Sequence, residues 1–204
     1  MPSHLAVQPR RVPTQQRGER RVAELLDAAA SVIAEAGYEA ATMSDIADRA
    51  GASIGSLYQF FPNKLSLTQA LRNRYAVQFE DVWVPLERDA ETLSLERLCD
   101  RLIDSTIRFV KGHPAFLALF DAPPSTRSPA AIRNVFRERV AGFLLASRPG
   151  MSKTKALRLA NITLEIIKAL NRVYSEIHPQ ERAAYVKEFK LVLFAYLRSR
   201  TETT

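Results

Sequence analysis

The chain has 204 residues, 47% of them hydrophobic, which is enough apolar material for a packed core in one or two domains. Lys and Arg number 29 against 22 Asp and Glu, and the resulting charge of +7 suits a polyanionic partner without requiring one. A single cysteine, three scattered histidines and seven glycines argue against a disulfide framework, a metal site and a glycine-rich phosphate loop, so neither catalytic residues nor a cofactor are expected.

Residues 1–16 hold Pro2, Pro9 and Pro13 and few large apolar groups, and read as a disordered basic arm. The arm lacks the apolar run of a secretory signal, and no stretch approaches the roughly 20 apolar residues that span a bilayer. With the lone Cys99, this points to the reducing cytoplasm and to no membrane partner. From Glu19 to Ala36, Val22, Leu25, Leu26, Ala29, Val32, Ile33 and Ala36 recur at helical spacing, and Gly37 ends that helix.

Thr42 with Asp45 is an N-cap with an acid in the first turn, so a short helix starts there and stops at Gly51. Ser53 caps a second short helix whose first residues, Ile54, Gly55 and Ser56, carry little bulk, while Leu57 and Phe61 pack inward. Two short helices joined by a glycine-containing turn have the geometry of a DNA-binding helix-turn-helix, with the preceding helix as its support.

After Pro62-Asn63, Lys64 opens a longer helix with the stripe Leu67, Leu71, Tyr75, Phe79 and Val82, expected to end near Val84 because Pro85 disfavours continuation. Further helices are expected over Thr92 to Val110, over Ala115 to Phe120, from the Ser128-Pro129 start onward, over Ser152 to about Ile177 and over Pro179 to Arg198, with Ala122 to Ser128 as a surface loop. The fold class is therefore all-α. The run Leu191-Val192-Leu193-Phe194-Ala195-Tyr196-Leu197 wraps the circumference of the last helix, which calls for burial on two sides. One side faces the chain's own core and the other a second copy, giving a homodimer through the last two helices.

Thr42, Ile46, Ala47, Ala50, Gly51, Ser53, Gly55, Leu57, Tyr58, Phe61, Lys64 and Leu67 stand in order and without a gap. In these positions the chain closely resembles the DNA-binding domain of the TetR (tetracycline repressor) family of bacterial transcriptional regulators. The resemblance covers roughly residues 17 to 70, with Ala52 where the family usually has Val and Phe60 where it usually has Tyr or His. Phe60 offers no hydroxyl or ring nitrogen to a phosphate. The resemblance implies a helix-turn-helix DNA-binding domain over 17–77, a helical effector-binding and dimerisation domain over 78–204, and a four-helix dimer interface.

On double-stranded DNA, positioning falls to Thr42 and Lys64, each at a helix N-terminus, and to the Tyr58 hydroxyl. Reading falls to Ser53, Ile54, Gly55, Ser56 and Gln59, where Gln59 suits adenine and Ile54 a thymine methyl. The implied mechanism is a repressor released from a palindromic operator by a small-molecule effector. Its candidate lining is Phe79, Trp83, Phe109, Phe116, Phe120, Asn161 and Glu165, aromatic or polar groups on otherwise apolar helices. The alternative is a helical ligand-binding or enzymatic protein that does not use its helix-turn-helix.

Overall fold

A computed structural model of the protein describes residues 13–121 and 129–201. Among the described residues every regular element is a helix: α1 (Pro13–Ala40), α2 (Met43–Arg49), α3 (Ile54–Phe60), α4 (Lys64–Asp89), α5 (Leu95–Gly112), α6 (Ala115–Asp121), α7 (Pro129–Ser147), α8 (Lys153–Glu176) and α9 (Arg182–Thr201).

Helix α1 begins at Pro13, inside the segment read from sequence as part of the arm; a proline in the first turn loses no intrahelical bond. The first twelve residues, and with them most of that arm, lie outside the described residues, as does the loop expected over Ala122 to Ser128. The apolar stripe of α1 buries Leu25, Ala29 and Ile33 completely. Gly37 interrupts the helix at φ 81°, a left-handed conformation that costs glycine little, and one more turn runs to Ala40.

Pro85 does not end α4. The helix continues to Asp89 with the proline inside it, although the ring removes the backbone donor that would reach the Asp81 carbonyl. Burial on both sides of the proline outweighs that loss: Trp83, Leu86 and Ala90 are each 1–2% exposed. Arg139 of α7 also pairs with Glu87 beyond it.

Helix α1 packs on α2, α4 and α6, whereas α7 and α9 pack on α8, and α9 also lies along α5. Helix α4 contacts α1, α5, α6 and α7, so it belongs to both halves of the molecule. One hydrophobic core runs from Leu25, Ile46 and Leu57 through Leu71 and Phe79 to Leu102, Leu144, Leu170 and Leu197. The domain boundary expected between residues 77 and 78 thus falls in the middle of a continuous helix.

No helix among the described residues is long and apolar enough to cross a membrane. Among the same residues no group of three or more His, Cys, Asp and Glu is placed to hold a metal ion.

Candidate nucleic-acid interface

Local chemistry sets the starts of the three helices that build this end of the molecule. Thr42 Oγ1 accepts from the Asp45 amide at 3.1 Å, and the Asp45 carboxylate accepts from the Thr42 amide at 3.2 Å, closing a capping box at the start of α2. The Thr42 hydroxyl also donates to that carboxylate at 2.6 Å, so its use on a phosphate requires it to exchange partners. Ser53 Oγ accepts from the Ser56 amide at 3.2 Å at the start of α3. Asn63 Oδ1 does the same for Ser66 at 2.8 Å, which makes Lys64 the first residue of α4.

The turn between α2 and α3 carries Gly51 at φ 57°. Arg21 of α1 reaches over it, donating to the carbonyls of Ala50 and Gly51 at 3.5 and 3.4 Å while pairing with Glu24 at 3.0 Å. Arg21 thereby ties the turn to α1. Arg49, in the last turn of α2, forms two bonds of 2.7 and 2.6 Å to the Glu35 carboxylate of α1 and one of 2.8 Å to Ser31. The hydrogen bonds from Arg49 hold the Glu35 carboxyl below the usual carboxylate range.

Helix α3 is anchored by one completely buried residue, Leu57, with Phe61 7% exposed just beyond its end. The opposite face is open. Ile54 is 41% and Tyr58 48% exposed, and Ser53, Gly55 and Gln59 are exposed beside them, with Ser56 half-buried. The structure therefore brings the residues read as base-contacting onto one surface. Phe60 and Leu65 add exposed apolar area to the same end. Lys64 is half-buried: its ammonium donates to the Glu39 carbonyl at 3.0 Å and lies 4.6 Å from the centroid of the Tyr38 ring.

The residues read as effector-lining divide. Phe79, Trp83, Phe109 and Phe116 meet in a buried aromatic cluster, with Phe79 centred 4.7 Å from both Trp83 and Phe109 and 5.8 Å from Phe116. Tyr75, Phe136 and Phe143 complete it, and His113 stacks on Phe109 at 4.0 Å. The cluster draws on α4, α5, α6, α7 and the α5–α6 turn, so a reading of one helix at a time does not group it. The side chain of Phe120 lies outside the described residues. Asn161 and Glu165 do not join the cluster, because they lie on the exposed face of α8 with Ile162, and the polar residues on its inner face are Thr163 and Asn171. Thr163 Oγ1, Asn171 Oδ1 and Trp83 Nε1 are buried without a hydrogen-bond partner among the described residues.

A cleft of about 450 Å³ opens beside the cluster where α1, α4 and the α5–α6 turn meet; Tyr75 and His113 belong to both, and Asp27, Glu35, Arg74 and Gln78 also line it. Arg74 bridges it to Asp27 at 2.8 Å.

Comparison with known proteins places the fold. Residues 25–71 match the family described as bacterial regulatory proteins, tetR family, and residues 94–197 match the tetracyclin repressor-like C-terminal domain. The HTH-type transcriptional activator FasR of Mycolicibacterium smegmatis is 51% identical over 59 residues, 29% of this chain and 26% of that protein. The HTH-type transcriptional repressor KstR of Mycobacterium tuberculosis is 42% identical over 52 residues, 26% of this chain and 23% of its own length. The chain thus spans about a quarter of the length of these curated relatives. A TetR-family transcriptional regulator from Streptomyces coelicolor superposes with TM-score 0.69 at 25% identity, over 89% of this chain and 99% of that one. The regulator FadR from Bacillus subtilis, solved in complex with stearoyl-CoA, shares the fold at TM-score 0.65 and 17% identity, over 85% and 97% of the two chains. With both of its regions matched, the chain belongs to the TetR family of bacterial regulatory proteins.

Proposed function

We propose that the protein is a sequence-specific DNA-binding transcriptional regulator, acting in the cytoplasm as a homodimer that represses from a palindromic operator. The observation that carries this is the two-sidedness of α3: Leu57 is completely buried, while Ile54, Tyr58 and Gln59 are turned outward. That outward face sets Ile54 and Tyr58 beside the hydrogen-bonding Gln59, which suits contacts to base edges and backbone and favours a helix-turn-helix in use over an unused one. Thr42, Lys64 and Tyr58 would position the backbone, and Ser53, Ile54, Gly55, Ser56 and Gln59 would read bases from the major groove.

The dimer would use α8 and α9, where Ile162, Tyr185, Leu191 and Val192 are 39–59% exposed beside a well-packed inner face. A second copy of α3 is then available for the second half-site of an inverted repeat. Effector binding would engage the aromatic cluster, and the unpartnered Trp83 Nε1 offers a hydrogen-bond donor there. To move the equilibrium between DNA-competent and released states from 1:99 to 99:1, an effector must favour the released state by roughly 5.5 kcal/mol.

Selection of bound sequences from a random duplex pool, with the mass of the protein measured alone and on the selected DNA, tests this reading. Recovery of an inverted repeat carrying an even number of chains supports it, and failure of the folded protein to enrich any sequence overturns it. On the selected operator, Gln59→Ala should relax preference at one base pair, whereas Lys64→Ala should weaken all sequences alike and lower the salt slope by about one. Trp83 is the one tryptophan in the chain, so its fluorescence reports directly on occupancy of the cluster, with stearoyl-CoA as a first probe.

A further inference from the structure

Arg72 lies two turns beyond Lys64 on α4 and is only 6% exposed. Among the described residues it is not paired with a carboxylate. Its Nε and Nη2 both donate to the Leu119 carbonyl, at 3.1 and 2.9 Å, and its Nη1 has no acceptor among the described residues. Burial pulls its pKa below the ordinary arginine value. Leu119 lies in the last turn of α6, where the carbonyls have no partner within the helix, so the guanidinium acts as a cap supplied from another helix.

The same guanidinium lies 5.8 Å from the centroid of the Tyr38 ring. Tyr38 is the residue after the Gly37 interruption of α1, and its ring is also approached by the Lys64 ammonium at 4.6 Å. One ring therefore meets two cations of α4. The first is tied to α6; the second sits at the end of the molecule that carries α3.

A buried guanidinium deprived of its acceptor is strongly destabilised, because there is no water to replace the bond. Any displacement of α6 must then carry Arg72 along or break both of its hydrogen bonds. Because the second course leaves a buried charge without its acceptor, the less costly one is for Arg72 to move with α6, and the ring that Arg72 and Lys64 share then loses one of its supports.

We infer that Arg72, Tyr38 and Lys64 form a latch through which the position of the Leu119 carbonyl in α6 sets the placement of the Lys64 ammonium. Arg72 is a positioning residue here and Lys64 is the group that meets DNA, an assignment that rests on the function proposed above. With the latch closed, the ammonium is held between the Tyr38 ring and the Glu39 carbonyl; with α6 withdrawn, it is released.

The test uses the full chain, the selected operator and an unrelated duplex of the same length. The salt dependence of binding is measured for the wild type, Arg72→Met, Arg72→Lys and Tyr38→Leu, each with and without Lys64→Ala. Lys64→Ala is expected to lower the slope by about one in the wild type, by less than half as much beside Arg72→Met or Tyr38→Leu, and by an intermediate amount beside Arg72→Lys. An arginine that merely stabilises the fold would lower the melting temperature and leave the effect of Lys64→Ala unchanged in every background, which would overturn the latch alone. Should Arg72→Met fail to fold, Tyr38→Leu carries the same comparison. Absence of DNA binding by the wild type would instead overturn the proposed function, and the latch with it.

Discussion

Thr42 closes a reciprocal cap with Asp45 and is also one of the residues assigned to a phosphate, so its two roles need separating. Thr42→Ala should cost about 1 kcal/mol of stability through the lost cap, measured by urea denaturation. Thr42→Ser keeps the cap oxygen and should keep both stability and affinity. Cys99 lies at the opposite extreme, 1% exposed in the core, where burial pushes its thiol up to about 12. Its thiolate is therefore scarce at neutral pH, and alkylation in the native state should proceed only as fast as the core opens. Labelling by iodoacetamide at about pH 8, compared with and without denaturant, checks this; rapid native labelling would refute the burial of the thiol.

Among the helices, α2 is held to α1 by a pair whose strength depends on pH. The Glu35 carboxyl is held low by Arg49, so its folded-state value lies below its unfolded one of about 4.5. A depressed carboxyl contributes stability that is present above the unfolded value and lost as pH falls through the folded one. Glu35→Gln should thus melt lower than the wild type near neutral pH, and the gap should narrow as pH falls below about 4.5 and vanish once it has passed the folded-state value. Because both side chains are largely solvent-exposed, the gap should be small and should shrink with added salt. In α4, Pro85 removes one backbone bond from an otherwise continuous helix. Pro85→Ala should restore it and raise stability by about 1 kcal/mol or more, read as a higher denaturation midpoint.

At the scale of the whole molecule, Ile162, Tyr185, Leu191 and Val192 on the last two helices are left exposed by the described residues. Stable dimers bury on the order of 1,600 Å² in total, and the last two helices offer a surface of the right character. Leu191→Lys should give a monomer by sedimentation while leaving helicity intact, since Leu191 is 59% exposed and not part of the core. Loss of the dimer should also lower operator affinity, because two linked half-sites bind far better than one.

The sequence by itself determined those features whose causes lie within one or two helical turns. Thr42, Ser53 and Gly51 carried their signals in their own neighbourhoods, and the structure shows each cap and turn where local chemistry places it. The resemblance over residues 17 to 70 was legible for the same reason, since its motif is contiguous. Tertiary structure decided the rest. Pro85 stays inside a helix because Trp83, Leu86 and Ala90 are buried on either side of it, which no local rule anticipates. Asn161 and Glu165 turn outward because α8 has two apolar faces and only its packing partners choose the inner one. Arg72 meets a carbonyl 47 positions away, and a contact between distant segments has no period in the sequence to announce it.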